Sequence, residues 1–100
     1  DEEQHQTYVA KVDDEGTLKD ARLFVDRAAE GVAVDAQGNV YLAAGDVEVY
    51  SPAGVLLETI AVPERPVQLS FGGANGRTLF MAARSSVYAV RTVHAGRQTR

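Results

Sequence analysis

Glu30-Gly31-Val32-Ala33-Val34-Asp35-Ala36-Gln37-Gly38-Asn39-Val40-Tyr41-Leu42-Ala43 decides the reading of this chain. It scans as two antiparallel strands, Gly31–Val34 and Asn39–Ala43, joined by a tight turn, Asp35-Ala36-Gln37-Gly38. Asp opens the turn, and Gly closes it where a positive φ is cheap. The strands are filled by valine, tyrosine and other apolar residues, which suit a pleated, half-buried surface.

Outward from this hairpin the chain continues in the same style. Upstream, Thr7–Val12 and Ala21–Val25 read as strands around an Asp13-Asp14-Glu15-Gly16 turn. Downstream, Val47–Tyr50 alternates with period two, Ser51-Pro52-Ala53-Gly54 turns, and Val55–Val62 is a further strand. After the Pro63–Pro66 connection come strands at Val67–Phe71, Thr78–Ala83 and Ser86–Thr92. No long window shows apolar residues at helical spacing, so no helix is expected.

The unit repeats. Val40-Tyr41-Leu42-Ala43-Ala44 matches Leu79-Phe80-Met81-Ala82-Ala83, and Thr7–Gly16 maps onto Asp46–Gly54 at nearly the same offset. A period of about 40 residues with four short strands marks a β-propeller blade. In that frame residues 7–25 are the outer strands of one blade, 31–62 a complete blade, and 67–92 three strands of the next, with tails at 1–6 and 93–100. The expected fold class is all-β: about two and a half blades of antiparallel strands, a partial propeller. A closed ring needs at least four blades, so the remaining blades are expected from a longer parent chain or from associated chains. Stacked blades cover both faces of a middle strand, which accounts for Val87, Tyr88, Ala89 and Val90 being apolar in both phases.

Composition sets outer bounds. A chain of 100 residues holds one small domain, and its 45% hydrophobic content is enough for a core. No cysteine is present, which excludes disulfides, thiolate metal sites and cysteine nucleophiles. The net charge of −4 argues against a nucleic-acid partner, and the late Arg91, Arg97 and Arg100 read as a solvated basic end. No apolar run approaches the roughly 20 residues of a membrane helix. No signal peptide is recognisable, and the first residue is Asp rather than Met, as expected of a trimmed or partial chain. The compartment stays open between cytoplasm and export.

The residues carry a resemblance. Glu30 to Ala43, then Val49-Tyr50-Ser51-Pro52-Ala53-Gly54, then Val62-Pro63-Glu64-Arg65-Pro66 through Phe71-Gly72-Gly73 to Leu79-Phe80, resemble the C-terminal third of the gluconolactonase / senescence-marker-protein / luciferin-regenerating-enzyme family. The similarity covers about residues 7 to 92. Asp-x-x-Gly-Asn-Val-Tyr by itself also occurs in other six-bladed propellers. The resemblance implies a six-bladed ring with a divalent metal on its axis, calcium first and zinc second, and hydrolysis of sugar lactones or related esters. It implies that the metal polarises the lactone carbonyl and activates water, while an axial carboxylate takes the proton. The family's metal-binding Asp falls here on Glu30, a departure that keeps the charge and reaches one methylene further. Calcium tolerates that, because its geometry is flexible. The family's other ligands, a Glu and an Asn from earlier blades, have no counterparts in this chain.

Strand directions alone gather Glu30, Gly45, Gln68 and Arg84 near one rim of the axis. Glu30 is then the metal-ligand candidate, and Gln68 and Arg84 are substrate-binding candidates; no catalytic residue is assigned. The plainer readings are a solvated loop carboxylate, a strand-end amide and a rim arginine. Asp35 reads as a turn former, and His5 and His94 lie in terminal stretches. No nucleophile elbow is present. Gly72-Gly73-Ala74-Asn75-Gly76 leads into a strand and lacks the following Lys of a phosphate loop. A non-catalytic propeller for binding or assembly is the alternative function, favoured by the Asp-to-Glu departure.

Overall fold

The computed structural model describes residues 6–12, 14–92 and 96, with the backbone alone for Val9, Lys11, Val12 and residues 18–22. His5, His94, Arg97 and Arg100 lie outside the described residues. Nine strands follow one another without a helix among the described residues. They are β1 (Thr7–Val12), β2 (Leu18–Val25), β3 (Val32–Val34), β4 (Val40–Ala44), β5 (Asp46–Tyr50), β6 (Leu56–Ile60), β7 (Pro66–Gly72), β8 (Thr78–Ala83) and β9 (Val87–Arg91). They form three antiparallel sheets in strict sequence order: β1-β2, β3-β4-β5-β6 and β7-β8-β9.

The deciding hairpin closes as its residues dictate. The Gly38 N–H donates to the Asp35 carbonyl at 3.0 Å, and Gly38 takes a φ of 87°, which a residue bearing a Cβ rarely adopts. The register then sets Val34 opposite Val40, Ala33 opposite Tyr41 and Val32 opposite Leu42.

The three sheets stack face to face, and the middle sheet is covered on both sides. Tyr41, Ala43, Val47 and Val49 point one way, into a cluster with Leu69, Leu79 and Met81 of the third sheet. Leu42 and Tyr50 point the other way, onto Val25 at the end of β2. This is why Val40–Ala44 carries no alternation: a strand buried on both faces needs apolar residues in both phases. Each interface holds one edge-to-face ring pair, Tyr41 on Phe71 with centroids 5.1 Å apart and Phe24 on Tyr50 at 6.3 Å.

The repeat keeps its phase. Leu42 faces the preceding sheet and is fully buried; its counterpart Met81 faces the preceding sheet and is buried as well. The same does not hold for the expected double burial of β9. Tyr88 and Val90 pack on the core, but Val87 is 67% exposed and Ala89 is exposed. The reason is position: β9 is the outer edge of a three-stranded sheet, and nothing among the described residues stacks on the face of Val67, Phe80 and Val87. The doubly covered run is β4.

Sheets two and three meet most closely at their innermost strands. A Cβ on Gly31 would stand 3.0 Å from the Gln68 Cα and 3.1 Å from the Val67 carbonyl oxygen. Further out they diverge around a cleft of about 420 Å³ lined by Tyr41, Val49, Leu57, Glu58 and Val90. Sheets pinched on the inside and splayed on the outside fan about an axis, as propeller blades do.

Candidate functional site

The inner rim is built from the chain ends of β3, β4, β7 and β8. The Glu30 N–H donates to the Ala43 carbonyl at 2.9 Å, and the Ala43 N–H donates to the Gly31 carbonyl at 2.9 Å, so the Glu30–Gly31 peptide is fixed to the end of β4. Opposite, Pro66 opens β7 against Ala83 at the end of β8, and the pairing is irregular between Pro66 and Gln68. The backbone of Gln68 then abuts Gly31.

The Glu30 carboxylate stands at the surface, with 47% of its side chain accessible. Its Oε2 accepts a hydrogen bond from Nη2 of Arg65 at 2.9 Å, and Arg65 is 66% accessible. Its Oε1 takes no hydrogen bond among the described residues. An open cleft of about 630 Å³ lies beside this pair, lined by Gln6, Thr7, Tyr8, Glu30, Val32 and Arg65. Its far wall is ordered by polar contacts: the Tyr8 hydroxyl donates to Gln6 Oε1 at 3.1 Å, and Gln6 Nε2 donates to Asp26 at 2.9 Å.

Gln68 and Arg84 are both exposed. Arg84 sits in the turn between β8 and β9, which closes through the Ala83 N–H to the Ser86 carbonyl at 2.8 Å. Among the described residues the Arg84 side chain makes no hydrogen bond or ion pair. The guanidinium that meets Glu30 is therefore that of Arg65. Sequence could not point to it, because the two partners lie on successive sheets and are 35 residues apart. The one available signal was the position of Arg65 between two prolines, directly before an innermost strand.

Two further polar clusters, of Glu48 and Glu64, lie toward the rim, and a third, of Asp35, holds the hairpin turn at the opposite end of β3 and β4. Asp35, fully buried, accepts from the backbone N–H of Gln37 and Asn39 at 2.9 Å each, from Asn39 Nδ2 at 3.0 Å and from the Tyr41 hydroxyl at 3.1 Å. Burial works to raise its pKa, and these donors more than offset it, so the carboxyl is held below its ordinary 3.8. Asp35 is thus a turn former in the structure. Glu48 accepts from Arg27 Nε at 3.0 Å and Nη2 at 2.8 Å, and from the Tyr50 hydroxyl at 2.7 Å. Glu64 accepts from the Ser85 hydroxyl at 2.7 Å and the Ser85 N–H at 3.1 Å, and the Ser85 hydroxyl foremost holds its carboxyl below the usual value.

Glu30 suits a hard cation as one oxygen donor. Among the described residues no three His, Cys, Asp or Glu groups converge, so any further ligands come from outside them.

The family model for the SMP-30/gluconolactonase/LRE-like region matches residues 1–85. The chain belongs to this family. Among solved structures it is similar to a crystal structure of a protein assigned as a gluconolactonase, with 29% identity and a TM-score of 0.82, over 95% of this chain and 34% of that one. A luciferin-regenerating enzyme matches with 19% identity and a TM-score of 0.70, over 80% of this chain and 31% of that one, a likeness of fold. The chain thus spans about a third of the length of each. No curated protein matches it in sequence. Membership in this family makes the three stacked sheets a portion of a β-propeller.

Proposed function

We propose that the chain is part of a lactonase-like hydrolase of sugar lactones or related carboxylic esters, which acts at the inner rim with a divalent cation, calcium before zinc, once the remaining blades complete the ring. The family match over residues 1–85 carries this reading. The half-exposed carboxylate of Glu30 beside an open polar cleft supports it. The cation, when bound, supplies Lewis-acid polarisation of the lactone carbonyl. Glu30 contributes one oxygen donor and only secondarily accepts a proton. Gln68 and Arg84 bind hydroxyl or anionic parts of the substrate from the same rim. Further blades, from the same chain or an associated one, cover the exposed face of Val67, Phe80 and Val87 and bring the remaining ligands.

The test is hydrolysis of a panel of sugar lactones by the intact protein, before and after chelation. Turnover that disappears with chelator and returns with calcium is expected, and Glu30→Gln should weaken both cation affinity and turnover. Turnover that is absent, or indifferent to metal, sinks the reading.

The second reading is a propeller module that binds or assembles without catalysis. The observation favouring it is the Arg65 guanidinium already held by Glu30. Under that reading Glu30→Gln leaves cation binding where it was.

A further inference from the structure

We infer that Arg65 is a built-in competitor for the cation site: its guanidinium occupies the Glu30 carboxylate, and a divalent cation binds there only as Arg65 swings away. The inference rests on the proposed role of Glu30 as a metal ligand. It concerns a positioning residue, one that acts through the carboxylate it holds.

Three observations and one electrostatic argument carry it. Among the described residues the contact is single, Nη2 to Oε2 at 2.9 Å, so Arg65 takes one oxygen and Oε1 has no partner there. Both side chains are largely solvated, 66% and 47% accessible, and an exposed ion pair of this kind is weak enough for a doubly charged ion to displace. Both backbones are anchored. Pro66, next to Arg65, is fully buried, and Glu30 is pinned through its N–H to Ala43. The exchange therefore needs a side-chain rotation and no backbone change. Finally, a cation sharing Oε2 would lie beside a guanidinium, and like charges that close repel.

Ionic strength relieves the competition, because screening acts strongly on exposed charges. The pair therefore makes cation affinity salt-sensitive.

The experiment is calorimetric titration of the intact protein with calcium alone, at low and high salt. It compares wild type, Arg65→Gln, Arg65→Lys, Glu30→Gln and the Glu30→Gln/Arg65→Gln double variant. Arg65→Gln should tighten calcium binding by about two- to fivefold at low salt, the scale of an exposed ion pair. The gain should shrink at high salt and vanish in the Glu30→Gln background, while Arg65→Lys stays near wild type. Unchanged or weaker binding in Arg65→Gln, with Glu30→Gln still impaired, overturns the inference and leaves the metal reading standing. A gain that persists without Glu30 also overturns it, since it would reflect net charge alone. Wild-type affinity in Glu30→Gln removes the metal reading and the inference together.

Discussion

The backbone of Gln68 lies directly against Gly31, where a Cβ would stand 3.0 Å from the Gln68 Cα, 3.1 Å from the Val67 oxygen and 3.2 Å from the Leu69 nitrogen. All three neighbours are main-chain atoms of β7, so none can rotate aside. Gly31 is needed for space, and its φ is not in the left-handed region.

Gly31→Ala should therefore force the second and third sheets apart at the rim, at about 1–3 kcal/mol, the usual cost of overpacking. Gly45 is the control. Its φ of 91° favours glycine, but nothing lies within 4 Å of its missing Cβ. Asn tolerates that conformation, so Gly45→Asn should cost less, under about 1 kcal/mol. Urea unfolding of both variants decides the matter. Equal, small losses would show that the sheets are not in tight contact at Gly31.

The buried pair Asp35–Tyr41 has an alkaline signature. Burial first, then the charge of Asp35 and the hydrogen bond to it, push the Tyr41 hydroxyl up to about 12 from 10.0. A raised native pKa adds stability that is complete below pH about 10 and is lost as pH climbs through about 12. The difference in phenolate absorbance between wild type and Tyr41→Phe should show one group titrating near pH 12. In Asp35→Asn the Tyr41 value should fall but stay above the ordinary one, because burial remains. Asp35→Ala should cost about 3 kcal/mol, since it strips the acceptor from four donors at once, three part-buried and one, the Tyr41 hydroxyl, buried. A wild-type Tyr41 that titrates at its ordinary value would refute the buried pairing.

Such pairs show which parts of the molecule were legible in its sequence. Short-range patterns were. The Asp35–Gly38 turn closes as its residues predict, and the strands at Thr7–Val12 and Thr78–Ala83 begin and end as expected. Boundaries moved where a partner strand or a side chain intervened. β2 starts at Leu18 instead of Ala21, because Leu18 and Lys19 pair with Val12 and Lys11. β6 ends at Ile60, and the Val62 N–H turns to the Asp46 carboxylate at 3.1 Å. The rim was legible only as backbone. Strand direction places Glu30 and Gln68 at one end, but which cation reaches Glu30 depends on how far apart two sheets stack. That distance is a sum of core side chains, Leu69, Leu79 and Met81 among them, with no local signature.

The last prediction concerns acid. Glu48 lies 17% exposed beneath Arg27, which is 47% exposed. Burial works to raise the Glu48 pKa. The hydrogen bonds from Tyr50 and Arg27 and the Arg27 charge outweigh it, leaving the carboxyl below its ordinary 4.5. A depressed native pKa gives stability that is present above the unfolded value and is lost as pH falls through the native one. Asp35 acts in the same direction, so stability should drop steeply below pH about 4. Tyr50→Phe removes the shortest bond to Glu48, 2.7 Å, and should cost about 1 kcal/mol near neutral pH. It should also flatten the acid limb, because the Glu48 pKa moves back toward its unfolded value. A double-mutant cycle on Arg27 and Glu48 should give no more than about 1 kcal/mol, since the guanidinium is half in water. Unfolding midpoints measured from pH 7 downward test all three expectations. An acid limb of unchanged slope in both Tyr50→Phe and Asp35→Asn would mean that neither carboxylate is held by its native donors.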